Sequence, residues 1–356
     1  MRPTVHVVMP AGVRDPARPS GGNAYDVKVC DGLATRGWSV REHEVAGSWP
    51  WPDVAAREEL ADVLRSIPDG EVVLVDGLVG SAAPETLVHQ RNRLRLVVLV
   101  HMPLGHAFAA SPPVVSAEAQ ALAAADIVIV TSEWTRDWLL DAYPLQPVRL
   151  RVAVPGAEPA RLATRSDLGT RLLAVGPVSR GKGHDTLVTA LNRLEDLDWK
   201  LECVGSLTVD VETSRNVARW AATTGGRVRV TGPLEAEAVE AAYASADLLV
   251  HPSRSETYGM VLTEALARGV PVLATRVGGT HEALGMSRGC LPGLLITPGD
   301  PAALAAALRL WLTDEETRRS LRRAARARRA TLPSWDATID AVHQALSSTA
   351  LAGAVR

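Results

Sequence analysis

Residues 251–282 read HPSRSETYGMVLTEALARGVPVLATRVGGTHE, and the order of elements in this segment indicates the fold class. It follows the apolar run 248–250, so its first residues predict a loop at the carboxyl end of a strand. Helix-forming residues continue from Gly259 to Arg268, and the glycine that follows ends the predicted helix. A second buried strand is predicted at Val272–Thr275. This order of elements predicts an open α/β sheet, a fold that binds ligands at the carboxyl ends of its strands.

Two acidic residues, Glu256 and Glu264, lie on either side of the start of this helix. The amino end of a helix presents unpaired amide groups and a partial positive charge, which suit a phosphate group. Carboxylates accept hydrogen bonds strongly from sugar hydroxyls. Either glutamate alone would be interpreted as a solvated or capping residue. Together, in Gly-rich surroundings, they predict a site for a diphosphate that carries a sugar.

The segment SETYGMVLTEALARGVPVLAT, residues 255–275, resembles the E-x7-E signature of retaining family-4 glycosyltransferases of the GT-B fold. The similarity includes the aromatic-Gly pair Tyr258-Gly259, and it extends over nearly the whole chain. The resemblance implies an α/β protein with two doubly wound Rossmann-like domains that face each other across a cleft. It also implies transfer of a sugar from a nucleotide diphosphate sugar, UDP- or GDP-linked, to an acceptor with retention at the anomeric carbon.

Length and composition agree with such an enzyme. A chain of 356 residues is too long for one ordinary core and suits two domains. We predict a first, acceptor-side domain at residues 1–160, a nucleotide-sugar-binding domain at 165–333, and a last helix at 334–356 that crosses back to the first domain. The net charge of −2 gives no footprint for nucleic acid.

Cysteine content and hydropathy indicate in which cellular compartment the protein is expected. The three cysteines are far apart and show no metal-ligand spacing, which favours a reduced, cytoplasmic setting. No apolar run approaches the roughly 20 residues of a membrane span, so a soluble protein is expected. The sequence leaves both a monomer and a homodimer open.

The second domain contains a near match to a P-loop, GPVSRGKG at residues 176–183. Gly183 stands where a P-loop requires the Ser or Thr that binds magnesium, so a P-loop NTPase is excluded at that position. Lys182 remains a candidate phosphate ligand, and Lys182-Gly183 matches a K-G pair of the resembling family. That family places an arginine five residues before the lysine, whereas this chain has Pro177. Arg180 is the candidate replacement.

The first domain supplies a Gly-rich loop and a histidine. Gly21-Gly22 precede a helix predicted from Asn23, and the resemblance implies that they approach the donor diphosphate and the acceptor. His101 follows the predicted strand Leu96–Val100. A lone histidine is more often structural, but its position at a strand end predicts a catalytic role.

The resemblance assigns the remaining roles. His101 and Glu256 are the expected catalytic residues, with Glu256 on the donor sugar and Glu264 on the ribose, and Asn23 and Met102 are expected at the acceptor. The expected donor-binding residues are Gly21, Gly22, Arg180, Lys182, Leu234, Thr257, Tyr258, Gly259, Met260, Val261 and Glu264. We expect no metal and no cofactor, because Asp196-Leu197-Asp198 is interpreted as solvated and the diphosphate has Lys182.

Several further elements are predicted for comparison with the structure. Ser39–Val45 alternates like a strand near a sheet edge, and Val72–Asp76 is continuously apolar like a central one. Pro84–Arg95 is predicted as a helix whose arginines form a solvated face. Residues 302–329 are predicted as one Ala/Arg-rich helix.

Two alternative functions remain open. A catalytically silent nucleotide-sugar-binding protein is compatible with Pro177, and a sugar-nucleotide epimerase would share the GT-B fold. For an enzyme, the loops at residues 14–23 and 46–53 favour a small polar or mixed acceptor over a long lipid.

Overall fold

The computed structural model describes residues 2–16, 18–108, 111–287 and 289–353. The chain divides into two compact units. The first comprises Met1–Gly156 together with Pro333–Arg356, and the second comprises Ala157–Leu332. One residue of the predicted loop 14–23, Ala17, and the last three residues of the predicted helix 334–356 lie outside the described residues.

The first unit is built on a parallel sheet whose strands are mostly continuous apolar runs, as expected when both faces of a sheet are covered. Its strands are β1 (Thr4–Pro10), β2 (Ser39–Val45), β3 (Val72–Asp76), β4 (Arg95–Val100), β5 (Ile127–Val130) and β6 (Leu150–Val152). They are ordered β2-β1-β3-β4-β5-β6, with every pair parallel. The prediction of β2 as an edge strand and β3 as a central one is confirmed. The chain order reverses between β1 and β3, which makes this the point where ligands bind in doubly wound sheets.

Helices connect these strands and bury a mainly Val/Leu core against the sheet. They are α1 (Gly21–Thr35), α2 (Val54–Ser66), α3 (Gly77–Gly80), α4 (Pro84–Gln90), α5 (Leu104–Ala107), α6 (Pro112–Ala124) and α7 (Glu133–Ala142). A short 3-10 turn, Pro147–Arg149, precedes β6.

The second unit repeats the architecture with a second parallel sheet. Its strands are β7 (Arg171–Val175), β8 (Lys200–Val204), β9 (Val228–Gly232), β10 (Leu248–His251), β11 (Val272–Thr275) and β12 (Gly293–Ile296). They are ordered β12-β11-β10-β7-β8-β9. The predicted strand Val272–Thr275 is confirmed at both ends. Here the order reverses between β10 and β7.

The helices of the second unit pack around a core that includes the buried Trp199 and Trp311. They are α8 (His184–Leu191), α9 (Val211–Thr223), α10 (Ala236–Ser245), α11 (Met260–Ala267), α12 (Thr280–Leu284), α13 (Pro301–Thr313) and α14 (Glu315–Arg328). Two 3-10 turns, Asn192–Leu194 and Arg329–Thr331, follow α8 and α14.

The last helix, α15 (Trp335–Gly353), belongs to the first unit. Its buried Val342 and Leu346 join the core formed by α1 and one face of the first sheet. The Trp335 ring packs edge-on against Tyr25 of α1, with ring centroids 5.7 Å apart. The chain therefore returns to its first unit after completing the second.

Two helix predictions were wrong in extent. The helix from Pro84 ends at Gln90 rather than Arg95, because Arg93 turns back to the end of α2. The Arg93 guanidinium donates to the carbonyl oxygen of Leu64 at 2.6 Å and to the Asp69 carboxylate at 2.9 Å, so it is not part of a solvated face. The predicted helix 302–329 is broken at Asp314, whose carboxylate caps α14 by accepting from the Thr317 amide at 2.7 Å.

No helix within the described residues has both the length and the apolar character that crossing a membrane requires.

Candidate active site

Two loops of the second unit leave neighbouring strands at the point where the strand order reverses. Residues 176–183 follow β7, and residues 252–259 follow β10. Gly183 has φ +74°, and a Cβ there would collide with the Pro252 carbonyl oxygen, so only glycine permits this approach. The Arg254 amide donates to the Gly181 carbonyl at 2.8 Å. The near P-loop and the start of the E-x7-E segment therefore form one structure.

An ion pair reinforces the same junction. The Arg254 guanidinium donates to both oxygens of Asp185, at 2.6 and 2.8 Å. Asp185 lies in the first turn of α8, where a carboxylate is also favoured by the helix dipole. A bidentate pair of this kind fixes orientation as well as adding energy, so the Arg254 loop is held against the start of α8.

Glu256 is the centre of a charged cluster within this junction. Its Oε2 accepts from the Nζ of Lys182 at 2.6 Å and pairs with the Nε2 of His251 at 2.9 Å. The Glu256 side chain is 13% exposed. Burial alone raises the pKa of Glu256, but the charge of Lys182 and the His251 hydrogen bond outweigh it and lower the pKa to about 2. Glu256 is therefore an ionised acceptor of hydrogen bonds at neutral pH and cannot act as a general acid.

The glycine pair Gly278-Gly279 supports the backbone of Glu256 from behind. Gly278 has φ +50°, and a Cβ there would collide with the Glu256 carbonyl oxygen. The Gly279 amide donates to that same oxygen at 3.1 Å, and a Cβ on Gly279 would strike the carbonyl of Thr257. The turn at these glycines thus positions the glutamate loop.

The start of α11 lies directly after this loop. Gly259 precedes the helix and has no side chain with which to cap it. Met260 and Val261 form the first turn, whose N–H groups have no partner in the helix ladder. Thr257 is half-buried and Tyr258 is buried. The structure thus places the predicted residues 256–261 as one continuous loop and helix start.

Glu264 lies on α11, and Tyr243 of α10 orients its carboxylate. The Tyr243 hydroxyl donates to Oε2 of Glu264 at 2.7 Å. Burial raises the pKa of Glu264, against the opposing effects of the Tyr243 hydrogen bond and the Arg268 charge. The Arg268 guanidinium also donates to the Glu264 carbonyl at 2.7 Å and covers the Tyr243 ring at 4.7 Å. Glu264 is therefore a held side chain rather than a freely solvated one.

The other predicted donor residues of the second unit have different surroundings. Leu234 is half-buried in the loop between β9 and α10. The Arg180 side chain is 77% exposed, and its Nε lies 3.9 Å from Asp185. Lys182 is 30% exposed and turned to Glu256. The structure brings Lys182, Glu256 and the α11 start together, whereas the Arg180 side chain is mostly exposed and pairs with Asp185.

In the first unit, the Gly-rich loop meets α1 earlier than predicted. The helix begins at Gly21 rather than Asn23, because the Ser20 hydroxyl caps it by accepting from the Asn23 amide at 3.0 Å. The Asn23 side chain donates back to the Arg18 carbonyl at 3.0 Å. Gly21 and Gly22 therefore form the first turn of a capped helix.

His101 leaves the end of β4 and is held by two carboxylates. Its Nε2 lies 2.8 Å from Oδ1 of Asp26 on α1. Asp76, at the end of β3, is the third member of the group, and one nitrogen or carboxylate oxygen from each of the three side chains lies within 4.8 Å of the other two. The ring packs against Gly22, where a Cβ would lie 3.4 Å from it. Met102, the next residue, is 44% exposed. The structure thus brings His101 and the glycine pair together.

Charge in this group follows from burial and proximity. Burial opposes charge on His101, but the charge and hydrogen bond of Asp26, aided by Asp76, raise its pKa to about 9. Burial and the charge of Asp26 raise the pKa of Asp76 to about 7. Within the described residues no other group of side chains has the spacing of a metal site. We assign no metal to it, because a hydrogen bond already joins the His101 nitrogen to Asp26.

Comparison with known proteins identifies the family. The family described as "Glycosyl transferases group 1" matches residues 166–328. D-inositol 3-phosphate glycosyltransferase 1 of Catenulispora acidiphila is 30% identical over 88% of this chain and 80% of its own length. The chain belongs to the group 1 glycosyl transferases. The D-inositol 3-phosphate glycosyltransferase of Salinispora tropica is 31% identical over 74% of the chain, which spans 60% of that relative.

Solved structures give this glycosyltransferase its fold. Sucrose-phosphate synthase from Thermosynechococcus elongatus superposes with a TM-score of 0.81 at 23% identity, covering 99% of this chain and all of that one. Anabaena HepE in complex with UDP and glucose superposes with a TM-score of 0.76 at 18% identity, covering 97% and 99%. The two Rossmann-like units are those of the GT-B fold, as the sequence predicted.

Four polar residues that lie beside the predicted site residues were not identified from the sequence. They are His251, Tyr243, Asp26 and Asp76. His251 and Asp76 end strands, as His101 follows one, and that position was a usable signal. Tyr243 and Asp26 are helix residues whose importance depends on which strand lies beside them, and no local pattern marks them.

Proposed function

We propose that this protein is a retaining glycosyltransferase that moves a sugar from a nucleotide diphosphate sugar to a small-molecule acceptor in the cytoplasm, without a metal. The observation that carries the proposal is the 2.6 Å pair between Lys182 and Glu256. It joins two loops at the carboxyl edge of the second sheet, where the strand order reverses.

Lys182 and the start of α11 would neutralise the departing diphosphate. A lysine ammonium and the free amides of a helix start both favour phosphate oxygens. Lys182 is partly exposed and needs only to exchange part of its contact with Glu256 for the ligand. A cation already fixed at the leaving group is the reason to expect activity without a metal.

The two glutamates would bind hydroxyl groups. Glu256 is ionised and held by Lys182 and His251, so it would accept hydrogen bonds from the donor sugar. Glu264, oriented by Tyr243, would accept from the ribose. Because Glu256 is fixed by two partners, we assign it no nucleophilic role. A front-face displacement assisted by the leaving diphosphate is the mechanism we propose for retention.

The relatives suggest which substrates to test first. HepE was solved with UDP and with UDP-glucose, so UDP-linked sugars come before GDP-linked ones. The sequence relatives carry names that specify D-inositol 3-phosphate as acceptor, which makes this molecule the first acceptor to test.

A catalytically silent nucleotide-sugar binder is the second candidate, favoured by two observations. Pro177 occupies the position of the family arginine, and the Arg180 side chain is mostly exposed, with its Nε 3.9 Å from Asp185. Such a protein would keep the donor site and lack turnover.

One experiment separates these candidates. UDP- and GDP-sugars are screened by thermal shift, and each binder is then assayed for hydrolysis and for transfer, with the anomeric configuration read by NMR. We expect stabilisation by a donor, turnover, and a product of retained configuration. Glu256→Ala should abolish turnover and leave the fold intact. Stabilisation without turnover would establish the silent binder, and no stabilisation by any nucleotide sugar would contradict both.

A further inference from the structure

A buried triad of side chains, Asp26, Asp76 and His101, lies at the carboxyl edge of the first sheet. Asp26 and Asp76 are 4% and 9% exposed, and the His101 side chain is 20% exposed. The elements that carry them are α1, β3 and the loop after β4. Two carboxylates this deeply buried are costly unless a cation or a proton compensates them.

The hydrogen bonds of the triad show how the charges are compensated. Nε2 of His101 lies 2.8 Å from Oδ1 of Asp26. Oδ1 of Asp76 accepts from the Leu78 amide at 2.6 Å. The second oxygen of Asp26, Oδ2, is buried and has no partner among the described residues. A proton on Asp76 would supply that oxygen with the donor it lacks.

We propose that Asp26 and Asp76 are positioning residues for His101, sharing one proton between them and keeping the ring doubly protonated, so that its Nδ1–H is a charged donor toward the reacting substrate. This inference rests on the proposed function. The ligand class is a substrate oxygen that gains negative charge during transfer. A fixed charged donor stabilises such an oxygen more in the transition state than in the ground state.

The surroundings of the ring support this assignment from every side. Asp26 faces it from α1 and Asp76 from β3. Tyr25 of α1 contacts it edge-on at 5.1 Å, and its hydroxyl donates to the Ala153 carbonyl, so it brings no charge. Gly22 packs against the ring and limits its rotation. Within the described residues no charged group other than Asp26 and Asp76 acts on the pKa of His101, and the charge and hydrogen bond of Asp26 raise this pKa most.

The two aspartates have different roles, which a pair of isosteric variants separates. Asp76→Asn imitates the protonated form, because its amide can donate to Asp26 while its oxygen still accepts from Leu78. Asp26→Asn removes the charge that holds the ring. A purely structural role for the triad would make both changes equally harmful, since each alters one buried hydrogen-bonding group.

The test is an NMR titration of the full chain with 15N-labelled histidine, in which His101→Asn assigns the His101 signal. We expect the pKa of His101 to fall by about one to two units in Asp26→Asn, the equivalent of one charged hydrogen bond. In Asp76→Asn it should stay well above 6.5. The upper pH limit of transfer should move down in Asp26→Asn and remain near that of the wild type in Asp76→Asn.

Thermal unfolding of each variant confirms that it is folded before titration. An unchanged His101 pKa in Asp26→Asn, or an equal fall in both variants, would overturn the proposal. Because the titration needs no substrate, it stands apart from the test of the proposed function. The expected titration with no transfer by the wild type would support the charge arrangement of the triad and would favour the catalytically silent binder over the active enzyme.

Discussion

Replacing Glu256 by Gln changes one charge at the centre of the second unit and little else. The variant keeps the shape of the side chain but leaves Lys182, 2.6 Å away, and His251, 2.9 Å away, without an anionic partner. With 13% of the glutamate and 4% of the histidine side chain exposed, water cannot replace the lost contacts fully. We therefore expect a measurable loss of stability in addition to the loss of transfer.

The size of that loss follows from the pKa of Glu256, which falls from 4.5 to about 2 on folding. This lowering of the pKa corresponds to about 3 kcal/mol in favour of the ionised form. Loss of a charged hydrogen bond costs about 1.5–3 kcal/mol in other proteins. We expect Glu256→Gln to lower the free energy of unfolding by about 2–3 kcal/mol at pH 7.

The effect must also depend on pH in one direction. Because folding lowers the pKa of Glu256, the ionised group stabilises the protein fully above pH 4.5. That contribution is lost as the pH falls toward 2. At pH 3 less than half of this contribution remains, so the difference between wild type and variant should shrink by more than half.

The assay is urea unfolding followed by tryptophan fluorescence at pH 7, 5 and 3. Asp196→Asn is the matched control, because it breaks an ion pair with Arg309 whose side chains are 59% and 43% exposed. An exposed pair of this kind contributes little to stability, because solvent screens it. A loss in Glu256→Gln no larger than in this control, or a difference that does not vary with pH, would refute the reasoning.

Three further predictions concern ligands and backbone. Lys182→Ala should weaken nucleoside diphosphate binding by about 1.5–3 kcal/mol in calorimetric titration. Arg180→Ala should change the affinity little, because the Arg180 side chain is 77% exposed. Equal losses of affinity in the two variants would place Arg180 at the diphosphate. Gly278→Ala should lower both the melting temperature and the donor affinity, because the new Cβ meets the Glu256 carbonyl. The control Gly299→Ala, at a glycine with a similar φ and open space around it, should leave donor affinity unchanged. Similar donor affinities in both variants would show that the glycine turn does not position Glu256. Sugar transfer should persist in EDTA. A complete loss of transfer that magnesium or manganese restores would contradict neutralisation of the diphosphate by Lys182.

The order of elements could be predicted because parallel strands that are buried on both faces appear in the sequence as continuous apolar runs. Val72–Asp76 and Val272–Thr275 are continuous apolar runs, and both are found at the predicted bounds. Ser39–Val45 alternates, because an edge strand has polar neighbours on part of its surface, and it is also found as predicted. Local composition is enough to predict a strand where burial of its side chains alone determines the secondary structure.

Helix ends were predicted less well, because distant partners set them. Arg93 ends its segment by bonding to the end of α2, about 30 residues earlier in the chain. Asp314 breaks a helical run by capping the next helix, although the segments on both sides of it are rich in good helix formers. A propensity argument weighs each residue against its sequence neighbours, so a single side chain that finds a better backbone partner overrides it.

The two charged clusters show what a sequence can reveal about a site in this fold. Lys182 and Glu256 were found because each lies in a motif, and their 74-residue separation is bridged by the adjacency of β7 and β10. Asp26 and Asp76 lie in no motif, yet β1 and β3 are adjacent in the same way. In each sheet, the chain order of the strands reverses between two adjacent strands. The charged cluster of that sheet lies at the ends of these two strands or of a strand next to them. The loops diverge there, so polar groups at the strand ends can face a ligand without being covered by the next helix. A polar residue at the end of such a strand is therefore a site candidate even where it belongs to no recognised pattern, and Asp76 could have been found by that rule.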